Sequence, residues 1–593
     1  MKLILVTIIT MISTCIAAQE VRNQTIAAGP ALQAAVDSYF VRRMFYTPSA
    51  AMTAGHHQFN HLLYPVFARS HQSRLQSLNR QTEAELKLID RSRLSADDRL
   101  TYDILLWKAA NDENLVSPLQ EYFPFNPIAG RHLQIAQWGT GTYQQPFSTV
   151  ADYEAWLGRV ASFSAWADSA IICFRRGLEA GITLPKLEVQ KLIAQLAAFI
   201  KTPVEQSAFY GPVRLLPASF SQADRQRLTQ AYIEAIQSII HPTYQKLVDF
   251  LQAEYLPAAR PTAALGNLPG GADHLRRLVT LEITTEVDLD SVYAYGLREI
   301  SRIEREMNET LKAIGFNGSL QAYLADAQSN PQSFPYQTGE EIATAYRQIQ
   351  NRVQPMLSRY FIRFPQTQFE IAAVPNRPSG YTTASYRAGN PLNKTPGTML
   401  VFASEPRRVR TVTEGSLLQM LAGQHQQKMI QAENLTLPLF RRTGSYPGFE
   451  YGWSFYIAGL AEEMGFYDTP KKRMDFLQAQ MVQALRLVVP YNLHLKGWTP
   501  EQAKKYILQY TAMTEELLTT ELDFYVSLPA RAYSLKLGGL KFWEIRRRCE
   551  KILGKDFNIA SFHDELLRDG AMPLVVLEKK MEDWARKNRK VHK

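Results

Sequence analysis

The sequence predicts a mainly α-helical protein with a short β-strand segment, and three observations carry that prediction. Apolar residues recur every three or four positions through most of the chain, as at Leu100, Ile104 and Trp107, which is the period of a helix with one buried face. Capping residues stand where several of these periodic stretches begin. Residues 397–402 (GTMLVF) instead combine β-branched and apolar residues, which favours a strand.

Two helix starts can be placed from their capping residues. Ser95 precedes an alanine and two aspartates and then Leu100, which is the order expected at a capped helix start. Thr499 followed by Pro500 and a glutamate places a cap, a first-turn proline and an acidic residue in sequence. Residues 189–200 carry a further helical repeat of apolar positions. All three stretches are therefore predicted to be helical.

Two Pro- and Gly-rich stretches, 257–271 and 373–396, interrupt the helical pattern. The first is a plausible boundary between two halves of the protein. We therefore predict an N-terminal helical region over residues 19–270 and a second helical region over residues 271–593, which carries the candidate site.

The first 18 residues have the layout of a secretory signal peptide. Lys2 is followed by an apolar run over residues 3–12 and by small residues up to Ala18, after which we expect cleavage. Cys15 follows Ile12-Ser13-Thr14, a loose match to a lipoprotein cleavage box, so a lipid anchor is a second outcome to consider. No later stretch approaches the ~20 uninterrupted apolar residues of a transmembrane helix. The protein is therefore predicted to be exported, to the periplasm or the exterior, without a transmembrane segment.

Composition narrows the function classes. The chain has 593 residues, of which 46% are hydrophobic, so it can bury a large core. The net charge of +10 is partly concentrated near the C-terminus, without the fold motifs that nucleic-acid recognition requires. Cys173 and Cys549 lie far apart in predicted helices and suggest no disulfide framework. No complete GxSxG nucleophile motif is present, which disfavours a serine-hydrolase site.

Three segments carry a specific resemblance to a known family. They are residues 418–427 (LQMLAGQHQQ), 451–456 (YGWSFY) and 486–489 (RLVV). These segments resemble HEAxPGHHxQ, EGWALYxE and RLVVDTGLH, the motifs of the bacterial family called domain of unknown function 885. Weaker matches extend the similarity over roughly residues 30–585.

The resemblance implies a large zincin-like helical fold with a short strand or hairpin near the site. It also implies a zinc ion held by histidines of one helix and a glutamate of the next, with a further carboxylate as general base. Zinc catalysis needs three protein ligands and an open water position. In the family motif a Pro-Gly pair supplies the helix break that brings the histidines together, and here Ala422 stands at the proline position.

The residues that would perform this chemistry are replaced in this sequence. Leu418 stands at the first histidine, Gln419 at the glutamate and Gln424 at one of the paired histidines; Tyr451 and Ala458 stand at the two glutamates of the next motif. Leucine cannot bind zinc, and glutamine cannot accept a proton from metal-bound water near neutral pH. Residues of packing and turn type, such as Gly452 and Gly538, are retained. The pattern predicts a folded pseudoenzyme without a metal cofactor.

A divergent metallopeptidase is the alternative. Its zinc would be bound by His425, Glu450 and His494, with Glu414 or Glu462 as the base. Glu450 precedes the vacated glutamate position by one residue, which rotates it by ~100° on a helix, so it would need a local bulge to face the site.

As a pseudoenzyme, the protein would bind a peptide or another small ligand in the former active-site cleft. The candidate cleft residues are His425, Gln427, Tyr451, Trp453, Tyr491, His494 and Arg531.

Overall fold

A computed structural model describes most of the chain. The described residues are 28–112, 116–142, 144–374, 384–402 and 406–589, without the side chain of Arg408. The predicted signal peptide and Cys15 lie outside these residues. The structure is 72% helix and 4% strand, which confirms the mainly α-helical fold with a short strand segment.

The N-terminal region is built from helices joined by short turns. They are α1 (Ala28–Tyr46), α2 (Pro48–Thr53), α3 (Arg69–Lys87), α4 (Ala96–Asn111), α5 (Arg131–Trp138), α6 (Val150–Ala161), α7 (Phe163–Glu179), α8 (Lys186–Lys201), α9 (Gly211–Arg214), α10 (Gln222–Ala235), α11 (His241–Phe250) and α12 (Leu256–Ala258). Two π-helical turns, Ile236–Ile240 and Leu251–Tyr255, lie on either side of α11.

The C-terminal region has longer helices and a small sheet. The elements are α13 (Gly271–Ile283), α14 (Leu289–Ile314), α15 (Leu320–Ser329), α16 (Gly339–Val353), β1 (Phe369–Val374), β2 (Ala384–Arg387), β3 (Gly397–Phe402), α17 (Glu414–Leu418), α18 (Gln426–Glu433), α19 (Leu439–Arg442), α20 (Pro447–Glu463), α21 (Pro470–Leu495), α22 (Pro500–Tyr510), α23 (Glu515–Ser527), α24 (Arg531–Leu553), α25 (Ile559–Leu567) and α26 (Leu574–Asn588).

The elements predicted from capping and periodicity are confirmed. The Ser95 hydroxyl accepts a hydrogen bond from the Asp98 amide at 3.1 Å and caps α4. Thr499 forms a capping box at the start of α22. Residues 189–200 lie inside α8. Cys173 and Cys549 are buried, unbonded thiols.

The predicted strand is the middle strand of the sheet. β3 pairs in parallel with β1, from Phe369 opposite Gly397, and antiparallel with β2, from Ala384 opposite Val401. Most of the β3 side chains are buried, as expected for a central strand with neighbours on both edges.

The core divides into three clusters of buried apolar side chains. One lies wholly within residues 52–255, and another, within residues 300–532, joins α14 to α21. The largest brings residues 32–105 of the N-terminal helices together with residues 265–585. The first helices therefore pack with the C-terminal region, and the boundary near residue 270 stays a prediction.

In the part of the chain that the structure describes, no helix combines the length and apolar character needed to cross a membrane.

Candidate functional site

The segment that resembles the family's HEAxPGHHxQ motif forms the middle of one long helix, here called the central helix (residues 414–433). It consists of α17, a π-helical turn over Gln419–His425, and α18. The Thr413 side chain caps it by accepting a hydrogen bond from the Ser416 amide. π-helical turns inside α-helices are rare and are frequently found at functional sites. The widened turn is thus present although Ala422 replaces the family's kink proline.

A contact from α20 supports the widened turn. The indole Nε1 of Trp453 donates a hydrogen bond to the Ala422 carbonyl oxygen at 3.1 Å. Trp453 itself is 0% exposed and packs edge-to-face against Phe361 and Phe542. The sequence predicts Trp453 as a cleft residue, whereas in the structure its ring packs in the core.

Gln419 and Ala458, two of the replaced positions, face the same small cavity between the central helix, α20 and α21. This inner cavity has a volume of about 100 Å³. It is lined mainly by Thr413, Ser416, Gln419, Phe455, Ala458, Tyr467, Asp475, Gln480 and Gln483. At two of the three positions where the family motifs carry glutamates, the cavity wall therefore presents an amide and a methyl group.

A larger cavity adjoins the inner one. This outer cavity, of about 470 Å³, shares Thr413, Tyr467 and Asp475 with the inner cavity. Its remaining wall comes mainly from Tyr336, Ala345, Gln348, Arg352, Thr411, Glu414 and Lys472. The two cavities meet at the three shared residues, and we call them together the polar cleft.

Leu418, at the position of the first histidine, is 0% exposed and belongs to the largest core cluster. Gln424, at the next replaced histidine, directs its amide nitrogen to the Met420 sulfur at 3.5 Å. Neither side chain offers a metal ligand.

Both ring nitrogens of His425 are already bonded. Nε2 lies 3.0 Å from the Thr367 carbonyl oxygen and must donate to it, so Nδ1 accepts from the Tyr386 hydroxyl at 2.9 Å. Burial lowers the pKa of this imidazole to about 4, which keeps it neutral. A side chain at Gly397 would collide with both Nδ1 of His425 and the Tyr386 hydroxyl, so this close packing requires glycine. His425 ties the central helix to the small sheet.

His494 is also enclosed by the protein, but both of its neighbours are hydrogen-bond acceptors, so the neutral imidazole can donate to only one of them. It is 0% exposed, with Nδ1 at 3.1 Å from the Ala263 carbonyl oxygen and Nε2 at 2.9 Å from the Tyr525 carbonyl oxygen. Burial lowers the pKa of His494 to about 4, although the two carbonyls oppose this shift. The residue bridges the end of α21 to two other segments of backbone.

The candidate carboxylates are engaged as well. Glu450 forms an ion pair with Lys428 and accepts a hydrogen bond from the Tyr446 amide at 3.2 Å, which caps its own helix. Of the two candidate bases, Glu414 pairs with Arg352 at 3.0 Å, and Glu462 pairs with a neighbouring arginine. Within the described residues, no group of three or more His, Cys, Asp or Glu side chains is arranged to hold a metal ion. The residues present do not fit a zinc ion.

Tyr451, at the other replaced glutamate, belongs to a separate polar cluster. Its hydroxyl accepts a hydrogen bond from Arg531 at 3.2 Å, and the guanidinium lies over the ring at 5.4 Å from its centre. Arg531 also pairs with Glu282, which accepts a hydrogen bond from Ser534 at 2.9 Å. This cluster joins α13, α20 and α24.

The remaining candidate residues also lie outside the polar cleft. Gln427 is 2% exposed, and its amide donates to Gln431 at 2.8 Å inside the protein. Tyr491 bonds to Asp290 and stacks on Tyr293 at a ring distance of 4.4 Å. The sequence-predicted positions that line the cleft are thus Gln419, Ala458 and the candidate base Glu414. The predicted cleft residues His425, Gln427, Tyr451, Trp453, Tyr491, His494 and Arg531 do not line it.

The sequence reasoning missed the wall that α21 contributes. Asp475, Ala479 and Gln483 lie four residues apart and so share one face of that helix, toward the inner cavity. The sequence does carry a signal for this wall. Asp475 and Gln483 are polar residues at helical spacing among buried apolar positions such as Met474 and Leu477, which indicates a polar group facing the interior.

The fold and the polar cleft define a class of large, mainly helical proteins built around a central helix with a widened turn. Within that class, the chain belongs to the family described as bacterial protein of unknown function (DUF885), whose model matches residues 48–581. No curated protein matches the sequence.

Two solved structures are similar over nearly their whole length. A candidate lipoprotein from Colwellia psychrerythraea is 21% identical with a TM-score of 0.83, and the match covers 95% of this chain and 100% of that one. A candidate lipoprotein of unknown function from Shewanella oneidensis is 14% identical with a TM-score of 0.72, covering 93% and 99%. At these identities the likeness establishes the shared fold.

Proposed function

We propose that this protein is an exported, non-catalytic family member that binds a peptide in the polar cleft. The observation that carries the proposal is the wall of the inner cavity, where Gln419 and Ala458 stand at two of the family's three glutamate positions beside a buried Leu418. An amide cannot act as a general base for water, and a methyl group cannot bind a metal.

The size and polarity of the cleft suit a small peptide. The outer cavity, about 470 Å³, falls in the range of ~300–1,000 Å³ typical of small-molecule sites. Its wall offers hydroxyl groups of Thr411 and Thr413, the Gln348 amide, and charged groups of both signs, including Arg352 and Asp475. These groups can meet the amide bonds and the termini of a peptide.

Export is part of the same proposal. The apolar run over residues 3–12 and the small residues before Gln19 support a signal peptide, and two structural relatives are described as candidate lipoproteins. Cleavage after Ala18 would release the protein, whereas lipidation at Cys15 would anchor it to a membrane.

The metal content of the protein tests the non-catalytic part. We expect the purified mature protein to retain well below one zinc ion per chain after dialysis against a weak chelator, measured by elemental analysis. The variant carrying Leu418→His, Gln419→Glu, Gln424→His and Tyr451→Glu is expected to bind about one zinc ion per chain, because it regains three ligands.

The matched control keeps Leu418 and carries only the other three substitutions. With one ligand fewer, it is expected to bind zinc at least about tenfold more weakly. About one zinc in the wild-type protein would overturn the proposal and favour the alternative with His425, Glu450 and His494. A folded four-residue variant without zinc would show that the ligand positions are wrongly assigned.

Blocking the outer cavity tests the binding part. Ala345 lines that cavity from α16, so Ala345→Trp is expected to fill it and weaken binding of tri-alanine at least about tenfold, measured by calorimetry. Thr344→Trp is the matched control because Thr344 is exposed on the same helix and does not line the cavity. Equal affinity of the two variants would place the peptide elsewhere and overturn the proposal.

A further inference from the structure

We propose that Asp475 binds the free amino group of the peptide, so that the cleft selects peptides with an unblocked amino terminus. This inference rests on the proposed function and adds the ligand group that the site recognises. Asp475 lies where the inner and outer cavities meet and lines both of them.

The first support is the missing partner of this carboxylate. Among the residues that the structure describes, none forms a hydrogen bond or an ion pair with Asp475. The cations that influence it are Lys471 and Arg410, and neither approaches within ion-pair distance. Arg410 is held elsewhere, by the Ala512 carbonyl oxygen and the Phe334 ring.

Asp475 is half-buried, and an ionised carboxylate that is partly removed from water without a partner is destabilised. Burial accordingly raises the pKa of the Asp475 carboxyl to about 6. Near neutral pH the group is nonetheless mostly charged, and a cation that enters the cleft would supply the missing partner. A primary ammonium group fits this role because it carries a positive charge and three hydrogen-bond donors.

The second support is the contrast with the other carboxylate of the cleft. Glu414 is 5% exposed, and its Oε1 lies 3.0 Å from Arg352 and 3.7 Å from Lys472. Its charge is therefore already compensated by the protein. Of these two carboxylates, Asp475 is the one left for a ligand.

The charges also orient the peptide. The Arg352 side chain is 61% exposed and, with Lys472, places positive charge on the wall of the outer cavity. A peptide whose amino group meets Asp475 can extend through the outer cavity, with its carboxylate toward these cations. Its first side chain then enters the inner cavity, whose volume of about 100 Å³ favours a small side chain.

Among the described residues, the wall of the inner cavity carries amide side chains and no charged group other than Asp475. The amides are those of Gln419, Gln480 and Gln483, beside Ser416. The inner end of the cleft is therefore suited to a small, neutral residue.

The test compares tri-alanine with N-acetyl-tri-alanine by calorimetry near neutral pH. The wild-type protein is expected to bind the acetylated peptide at least about tenfold more weakly, because acetylation removes the charge that pairs with Asp475. Asp475→Asn is expected to lose most affinity for tri-alanine and all preference between the two peptides. Asp583→Asn, which changes an exposed aspartate of α26, is the matched control and should keep the preference.

A thermal melt separates loss of the contact from loss of the fold. Without peptide, Asp475→Asn is expected to melt at or above the wild-type temperature near neutral pH, because it removes an unpaired charge from a half-buried position. A clearly lower melting temperature would mean that Asp475 has a structural partner, and would overturn the inference. The inference would also be overturned if Asp475→Asn still preferred tri-alanine over the acetylated peptide. It would be overturned as well if neither peptide bound at millimolar concentration. Equal binding of both peptides by the wild type would overturn the amine contact while leaving the cleft as a peptide site.

Discussion

Gly538→Ala is expected to lower the free energy of unfolding by about 3–5 kcal/mol, a large effect for one methyl group. At this residue α24 crosses α20, and the two backbones touch at Gly452 and Gly538. A Cβ atom added at Gly538 would lie 2.8 Å from the Gly452 Cα and would collide with the Gly448 carbonyl oxygen. These neighbours are backbone atoms of a helix, so they cannot move aside as a side chain would.

Chemical denaturation of the purified variants measures this effect. Gly29→Ala is the matched control because Gly29 also lies in a helix, α1. Its added Cβ atom would be 3.6 Å from the Asp98 carboxylate, an ordinary van der Waals distance. That change is expected to alter the free energy of unfolding by no more than about 1 kcal/mol. If the two variants had the same free energy of unfolding, the result would contradict the close contact between the α20 and α24 backbones.

A steep loss of stability is expected as the pH falls from about 6.5 to about 4. Six buried histidines have pKa values lowered to about 3 or 4, chiefly by burial. They are His71, His132, His274, His425, His494 and His563. An unfolded chain protonates these imidazoles near pH 6.5, so acid favours unfolding. Their contribution to stability is complete above that pH and is lost toward pH 4.

Two carboxyl groups act in the opposite sense. Burial raises the pKa of Glu188 to about 7 and that of Asp475 to about 6, so the folded state binds these protons first. Near pH 5, unfolding lets the six histidines bind about six protons, while the two carboxyl groups release almost two. The net uptake on unfolding is therefore about four protons. The free energy of unfolding should therefore fall by about 5 kcal/mol per pH unit there.

Denaturation at a series of pH values measures this slope. His425→Gln is expected to reduce it by about one proton, or about 1.4 kcal/mol per pH unit. His61→Gln, which changes an exposed histidine, should leave it unchanged. A flat profile between pH 6.5 and 4 would show that the buried histidines do not remain neutral in the folded protein.

Much of the local structure followed from local signals. Capping at Ser95 and Thr499 depends on interactions between residues near one another in the chain, so a sequence pattern can indicate it. The strand over residues 397–402 was indicated by its own β-branched and apolar residues, although its pairing partners lie farther away in the chain. The comparison of motif positions likewise singled out Gln419 and Ala458, which line the inner cavity. The roles assigned to other candidates depended on distant partners that no local pattern reveals.

His425 and Trp453 show the difference most clearly. From the sequence, a histidine and a tryptophan inside family motifs could be cleft residues. In the structure His425 bonds to Tyr386 and Thr367, and Trp453 fills the core beneath the central helix. Asp475 was missed for the opposite reason, because it lies outside every motif and reaches the cleft through the packing of α21.

The sequence by itself determined the helical architecture, the family, and the replacement of the residues that zinc chemistry would need. These depend on residue identity and on spacing along the chain. Only the tertiary structure decided which side chains share the polar cleft, because helix packing joins segments far apart in the chain. It also decided that, among the described residues, Glu414 has ion-pair partners and Asp475 has none, because electrostatic compensation depends on distances in three dimensions.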